Sequence, residues 1–300
     1  MHKELQRYLR EKKRVFDRTI KSYFPSAGPN ARLNRAIRYS LAGGKRLRPI
    51  LVFMGSEICH GNWKDAIPTA CAIEMIHVYS LIHDDLPAMD NDNFRRGRWT
   101  CHRKFGEAEA ILAGDALLTR AFEILTSGKN SRISNEQRLK VAQKIARDSG
   151  IRGMVGGQEK DIATARTWKN RSKETNKRTL LFIHRHKTAA LIRVSLEAGA
   201  ILADADRQEL RALHRYGENI GLAFQIMDDV LDITGDKKKM GKEGSDLKNR
   251  KLTYPLIYGI RASQEKARNL VVAAKKHLKI FGEKARMLSH LADYIIERTY

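Results

Sequence analysis

Two short runs of aspartate carry the chemistry most visible in this 300-residue sequence: HDDLPAMDND from His83 to Asp92, and DDVLD from Asp228 to Asp232. Each ends an apolar stretch with helical spacing, where charge is costly unless something neutralises it. Asp228 and Asp232 are four residues apart and share one helix face, with Cβ atoms about 5 to 6 Å apart. A hard divalent cation relieves their repulsion: magnesium takes one or two carboxylates, keeps several waters, and completes its octahedron with phosphate oxygens. Asp84 and Asp90 are six apart, about 240° around an unbroken helix. Pro87 resolves this, because it disfavours helix at Leu86 and lets the chain loop Asp90 back toward the same ion after Asp85. A single cluster would read equally well as a helix terminus or a solvated loop. Two clusters, each at the end of a buried helix, point to a metal-bridged diphosphate. Calcium is the rival ion, but neither run has the EF-hand spacing.

A diphosphate also needs cations from the protein. The segment GGKRLRP, Gly43 to Pro49, offers two glycines for close backbone approach and presents Lys45, Arg46 and Arg48 to a phosphate. By itself it reads as well as an ordinary glycine turn. Arg95 and Arg96 follow the first aspartate run directly, so metals and arginines converge on one polyanion.

The elements that must position these groups are helical. Apolar residues recur at helical rather than alternating spacing, no repeat of 20 to 50 residues is present, and the expected fold class is all-α. Pro68 to Leu86 is apolar on most of its circumference and is expected to be a central buried helix. A second runs from about Leu213 to Thr234, with Gly235 placed to end it in a left-handed conformation. Between them, Gly150 to Gly157 reads as a glycine-rich break and Trp168 to Asn176 as a polar loop. No composition shift marks a domain boundary, so one domain over 1–300 is expected.

Composition narrows the function classes. Lysine and arginine total 57 against 34 acidic residues, a formal charge of +23 that favours anionic partners. The excess is spread over solvated stretches without RNP-type aromatics or a helix-turn-helix, so no nucleic-acid partner is expected. Cys59, Cys71 and Cys101 form no CxxC pair, which fits reduced thiols in a cytoplasm. No apolar run reaches the roughly 18 residues of a membrane span, and the charged N-terminus does not read as a secretory signal.

The motifs together resemble the trans-type polyprenyl diphosphate synthases, most closely the bacterial farnesyl diphosphate synthases. The likeness runs through GGKRLRP, IEMIHVYSLIHDDLPAMDND, RRGRWTCHRKFGEAEAILAGDALLT, GGQEKDI, HRHKTAALIR, FQIMDDVLDITGD, GKEGSDLKNRKLTYP and DYIIERT. It implies an isoprenoid synthase bundle of long, mostly antiparallel helices around a deep cavity, a homodimer, and magnesium-dependent head-to-tail joining of isoprenoid diphosphates. By resemblance, Gly44, Lys45, Arg48, His77 and Arg96 hold isopentenyl diphosphate. Asp84, Asp85, Asp90, Asp228, Asp229 and Asp232 hold magnesium ions bridging the allylic diphosphate. Arg95, Lys187, Lys242 and Lys251 neutralise that leaving group, and Thr188 and Gln225 lie against the reacting carbons. On physical grounds His77 is the weakest of these, since a lone histidine on an apolar helix is more often a satisfied core residue.

Helical geometry puts Ser80 one turn beneath Asp84 and Tyr79 about 100° further round, and does not choose between them as the residue that limits product length. The resemblance points to Tyr79, five positions before the first aspartate, and to a fifteen-carbon product. A geranylgeranyl synthase shares every motif and differs in cavity depth; a terpene cyclase should lack GGKRLRP and the second aspartate run. Asn93 stands where a fourth acidic residue is common, and Ala189 where glycine is frequent, with Ala189 expected to crowd the cavity wall. The high charge suggests weak attraction to acidic membrane surfaces.

Overall fold

The longest apolar stretch makes the centre of the molecule. In a computed structural model describing residues 2–128, 132–235 and 251–298, helix α4 (Ile67–Asp84) buries nearly every side chain from Thr69 to Tyr79, with Pro68 in its first turn where a missing N–H costs nothing. Around it are α1 (Lys3–Ser22), α2 (Ala31–Leu41), α3 (Leu47–Ile58), α5 (Cys101–Phe105), α6 (Glu107–Thr126), α7 (Asn135–Ser149), α8 (Met154–Ala165), α9 (Lys173–Ile183) and α10 (Ala190–Leu202). The long α11 (Arg207–Thr234) follows, then α12 (Tyr254–Tyr258), α13 (Ile260–His277) and α14 (Arg286–Glu297).

One apolar cluster gathers around α4, α6 and α7, and a second around α11, α13 and α14. Helices α3 and α10 join them, sending Phe53 and Val194 into the first and Leu51 and Leu196 into the second. A short connection leaves α11 packed on α10, as expected of antiparallel neighbours.

The structure moves several sequence-predicted boundaries. Helix α11 begins at Arg207, earlier than Leu213, because Asp206 and Glu209 form a capping box that satisfies its first N–H groups. Gly235 ends it in extended backbone (φ −77°) rather than the left-handed form. The break after Gly150 is short: Gly156 and Gly157 lie inside α8. The polar stretch from Trp168 is a 3₁₀ turn, and Ser172 then caps α9. A two-stranded antiparallel ribbon, Phe94–Arg95 with Arg98–Trp99, interrupts the helices directly after the first aspartate run.

Arg46 departs most from expectation. Its backbone is left-handed (φ 55°) where it caps α3, and its side chain, 1% exposed, turns inward to Glu74 at 2.7 Å and Asp17 at 2.8 Å. It is a core ion pair and not a phosphate contact. Removing one partner of such a pair strands the other in low dielectric, so Arg46→Ala should lose about 3 kcal/mol or more in urea unfolding.

Candidate active site

The first aspartate run sits where α4 stops. Asp85 caps the helix, the chain turns at Pro87, and the Asp90 N–H donates to the Asp84 carbonyl at 2.9 Å, so Asp90 returns to the helix end. Asp84 Oδ1 accepts from Gln158 Nε2 at 2.7 Å, and Lys251 donates to Asp90 at 2.7 Å. Asp85 differs from both: the residue is 2% exposed and its carboxylate is gripped by Arg95, with the Nε 2.8 Å from each oxygen. The expectation placed Asp85 on a metal and Arg95 on the leaving group; the structure pairs them with each other.

The second run lies in the last turns of α11. Asp229 is buried, accepting from Gln225 at 2.8 Å and from the Tyr254 N–H at 2.7 Å, with His184 Nε2 at 3.2 Å. Asp228 meets Arg298 at 2.8 Å, and Asp232 is half-buried one turn on. Thr188 donates to Gln225 at 2.6 Å, which joins this run to Lys187, whose Nζ is 2.5 Å from Asp161. Asp161 also has Lys251 at 3.8 Å, so one carboxylate links the two lysines that face the first run.

Lys187 and Thr188 occupy a π-helical turn, His184–Ala189, between α9 and α10. Such widened turns recur at functional sites. Gly157 makes room for it, since a Cβ there would lie 2.2 Å from the Lys187 backbone nitrogen. Ala189 is 2% exposed, and its methyl packs at Gly221 of α11.

Arg48 Nη1 lies 3.4 Å from His77 Nε2 on α4. Gly44 has φ 86°, a conformation that favours glycine, and the Arg96 guanidinium lies so close that a Cβ there would meet it at 2.8 Å. Lys45 is exposed beside Asp228 and Arg298. Tyr79 is 7% exposed below the first run, its ring edge-on to His83 at 5.8 Å, while Ser80 spends its hydroxyl on the His77 carbonyl. Lys242 lies outside the described residues.

Residues 30–290 match the Polyprenyl synthetase family. The chain belongs to the polyprenyl synthetase family. It is 46% identical to a geranylgeranyl diphosphate synthase of Cyanophora paradoxa, over 97% of this chain and 95% of that one. It is 40% identical to a farnesyl diphosphate synthase of Geobacillus stearothermophilus, over 99% and 98%. A solved FPP/GFPP synthase from Zymomonas mobilis superposes with a TM-score of 0.86 at 38% identity, covering 98% of this chain and 99% of that one.

In this polyprenyl synthetase the site's electrostatics follow from burial. Burial pushes the Asp84 carboxyl above its usual range and Asp90 adds to it, with Lys187 opposing. Burial would raise Asp161 too, but Lys187 and Lys251 outweigh it and hold that carboxyl low. Lys187 is conversely held above its ordinary value, because Asp161 and Asp84 outweigh its own desolvation. The donors suit the divalent metal this family uses. They are all carboxylate oxygens, and the buried Gln158 Oε1 beside Asp84 has no hydrogen-bond partner among the described residues.

Burial, reinforced by Arg48, Arg96, Arg95 and Arg46, pushes the His77 imidazole well below 6.5. Between that depressed value and 6.5 the unfolded chain binds a proton that folded His77 refuses, so stability falls as pH drops below 6.5. His77→Gln should flatten this slope by up to about 1.4 kcal/mol per pH unit, read from urea unfolding of both proteins from pH 5 to 7.5.

Gln158, His184 and Arg298 hold site carboxylates and Asp161 holds the site lysines, yet sequence reasoning gave these four no role. Gln158 and Asp161 had a usable signal: three apart in GGQEKDI, they share a helix face. Arg298 follows an amphipathic helix and is brought to Asp228 only by tertiary packing.

Proposed function

We propose that this chain is a magnesium-dependent farnesyl diphosphate synthase, acting as one domain that condenses isopentenyl diphosphate with dimethylallyl or geranyl diphosphate. The observation that carries this reading is that one turn joins the two aspartate runs: Lys187 pairs with Asp161, which Lys251 connects to Asp90, while Thr188 donates to Gln225, which holds Asp229, and Tyr79 is buried beneath Asp84.

Asp84, Asp90, Asp228 and Asp232 would hold the magnesium ions, with Asp85 and Asp229 fixing the two runs. Magnesium, when bound, supplies Lewis-acid stabilisation of the departing diphosphate. Lys187 stays fully charged on its pair with Asp161 and, with Lys251, adds preorganised positive charge where negative charge develops. Lys45, Arg48 and Arg96 hold the second diphosphate, and the neutral His77 beside Arg48 adds no like charge. Thr188 and Gln225, fixed on each other, face the reacting carbons. The apolar walls exclude water from the cationic carbons.

A homodimer is consistent with Ile111 and Leu112 of α6, 45% and 55% exposed, which need cover. We further place the enzyme in the cytoplasm; no described helix is long and apolar enough to cross a membrane. Weak attraction to acidic membranes would follow from the charge of +23.

Incubation with magnesium, isopentenyl diphosphate and geranyl diphosphate, followed by dephosphorylation and gas chromatography, should give farnesol. The Cyanophora relative, which carries a geranylgeranyl name, supports a second reading that geranylgeraniol would favour.

A further inference from the structure

Five cations outside the candidate active site converge on one groove of about 660 Å³: Lys21, Arg35, Arg38, Arg98 and Lys104. No acidic side chain lines it, and none of the five is ion-paired among the described residues. Its floor is aromatic. Arg98 and Lys104 both lie over the Tyr39 ring, at 4.0 and 4.4 Å from its centre, and Tyr39 meets Phe105 edge-on at 5.4 Å.

These groups are held in place. The Tyr39 hydroxyl donates to the Trp99 carbonyl at 2.7 Å, and Arg38 donates to the Phe24 carbonyl at 3.0 Å. Solvated charges on a convex face separate freely. Here an open, shallow groove gathers five like charges, two of them on one ring, with no carboxylate to offset them. An anion settling on such a groove gains from the summed attraction of these cations and from charge-assisted hydrogen bonds together. Arginine forks and several cations over an aromatic floor suit phosphate oxygens better than a single carboxylate.

We infer that this groove is a second anion site that binds a ligand carrying several phosphate charges, distinct from the diphosphate site of Lys45, Arg48 and Arg96. The same chemistry is offered by a soluble condensed phosphate and by the phosphomonoester headgroup of a lipid.

Isothermal titration of the 300-residue protein with inorganic tripolyphosphate, free of magnesium at moderate salt, should reveal two classes of site. Arg98→Ala/Lys104→Ala should remove one class and leave prenyl transfer without tripolyphosphate unchanged. Arg35→Glu, an exposed change on α2 that disturbs no packing, should weaken the same class about tenfold. Sedimentation with phosphatidylcholine vesicles containing phosphatidic acid separates the sources. Vesicle binding lost in these variants assigns the groove to lipid headgroups, whereas loss of tripolyphosphate binding alone assigns it to soluble phosphates. Equal tripolyphosphate stoichiometry and equal vesicle binding in wild type and both variants would overturn the inference.

Discussion

Asp84→Ala is expected to lower kcat/KM for prenyl transfer by at least about a thousandfold, the scale of losing a preorganised stabiliser of transition-state charge together with a metal ligand. Two features set this magnitude. Asp84 lies within reach of the Lys187 field and of Asp90, and its burial makes an anion there expensive until a cation arrives. The substitution also leaves Gln158 Nε2 without its acceptor, loosening α8 beside the π-helical turn that carries Lys187 and Thr188. Asp85→Ala is the informative comparison. Asp85 is held by Arg95, so its loss should act mainly by releasing the ribbon that carries Arg95 and Arg96, raising KM for isopentenyl diphosphate. Steady-state kinetics of both variants separates the roles. Equal losses of kcat would place Asp85 on the metal after all.

The second large effect is on product length. Tyr79→Ala is expected to shift the principal product from fifteen to twenty carbons or more, because it opens a space about the size of a phenol ring where a growing chain would descend from Asp84. Tyr79 is buried on the central helix, and its hydroxyl is pushed up to about 12 by burial and by Asp84, so it stays neutral and presents an apolar wall. Ser80→Ala should leave the product unchanged, since the Ser80 hydroxyl is committed to the backbone of its own helix. Chromatography of the hydrolysed products distinguishes these outcomes. An active Tyr79→Ala enzyme with an unaltered product would move the chain-length role elsewhere.

The parts of this protein that were legible beforehand are those fixed by local rules. The apolar circumference of α4 announced a buried helix, and Pro87 announced that Asp90 would fold back, as its N–H on the Asp84 carbonyl shows. The start of α11 was also written locally, in Asp206 and Glu209, but a capping box is easily overlooked in a polar stretch. What escaped was tertiary choice among similar residues. GGKRLRP presents three cations of equal standing, and only the left-handed backbone at Arg46 turns that one inward. The lone Glu74 amid apolar neighbours on α4 was the available hint that a cation must come to meet it. Likewise the Asp85–Arg95 pair depends on a ribbon too short to leave a pattern in the sequence.

The proposed reaction requires the two aspartate runs to act together on a metal-bound diphosphate. Calorimetric binding of an unreactive allylic analogue, geranyl thiolodiphosphate, tests this apart from turnover. Wild-type protein should bind it at least about a hundredfold more tightly with magnesium than in EDTA, and Asp84→Ala should lose most of that gain. The same affinity with and without magnesium, undisturbed by the substitution, would contradict it.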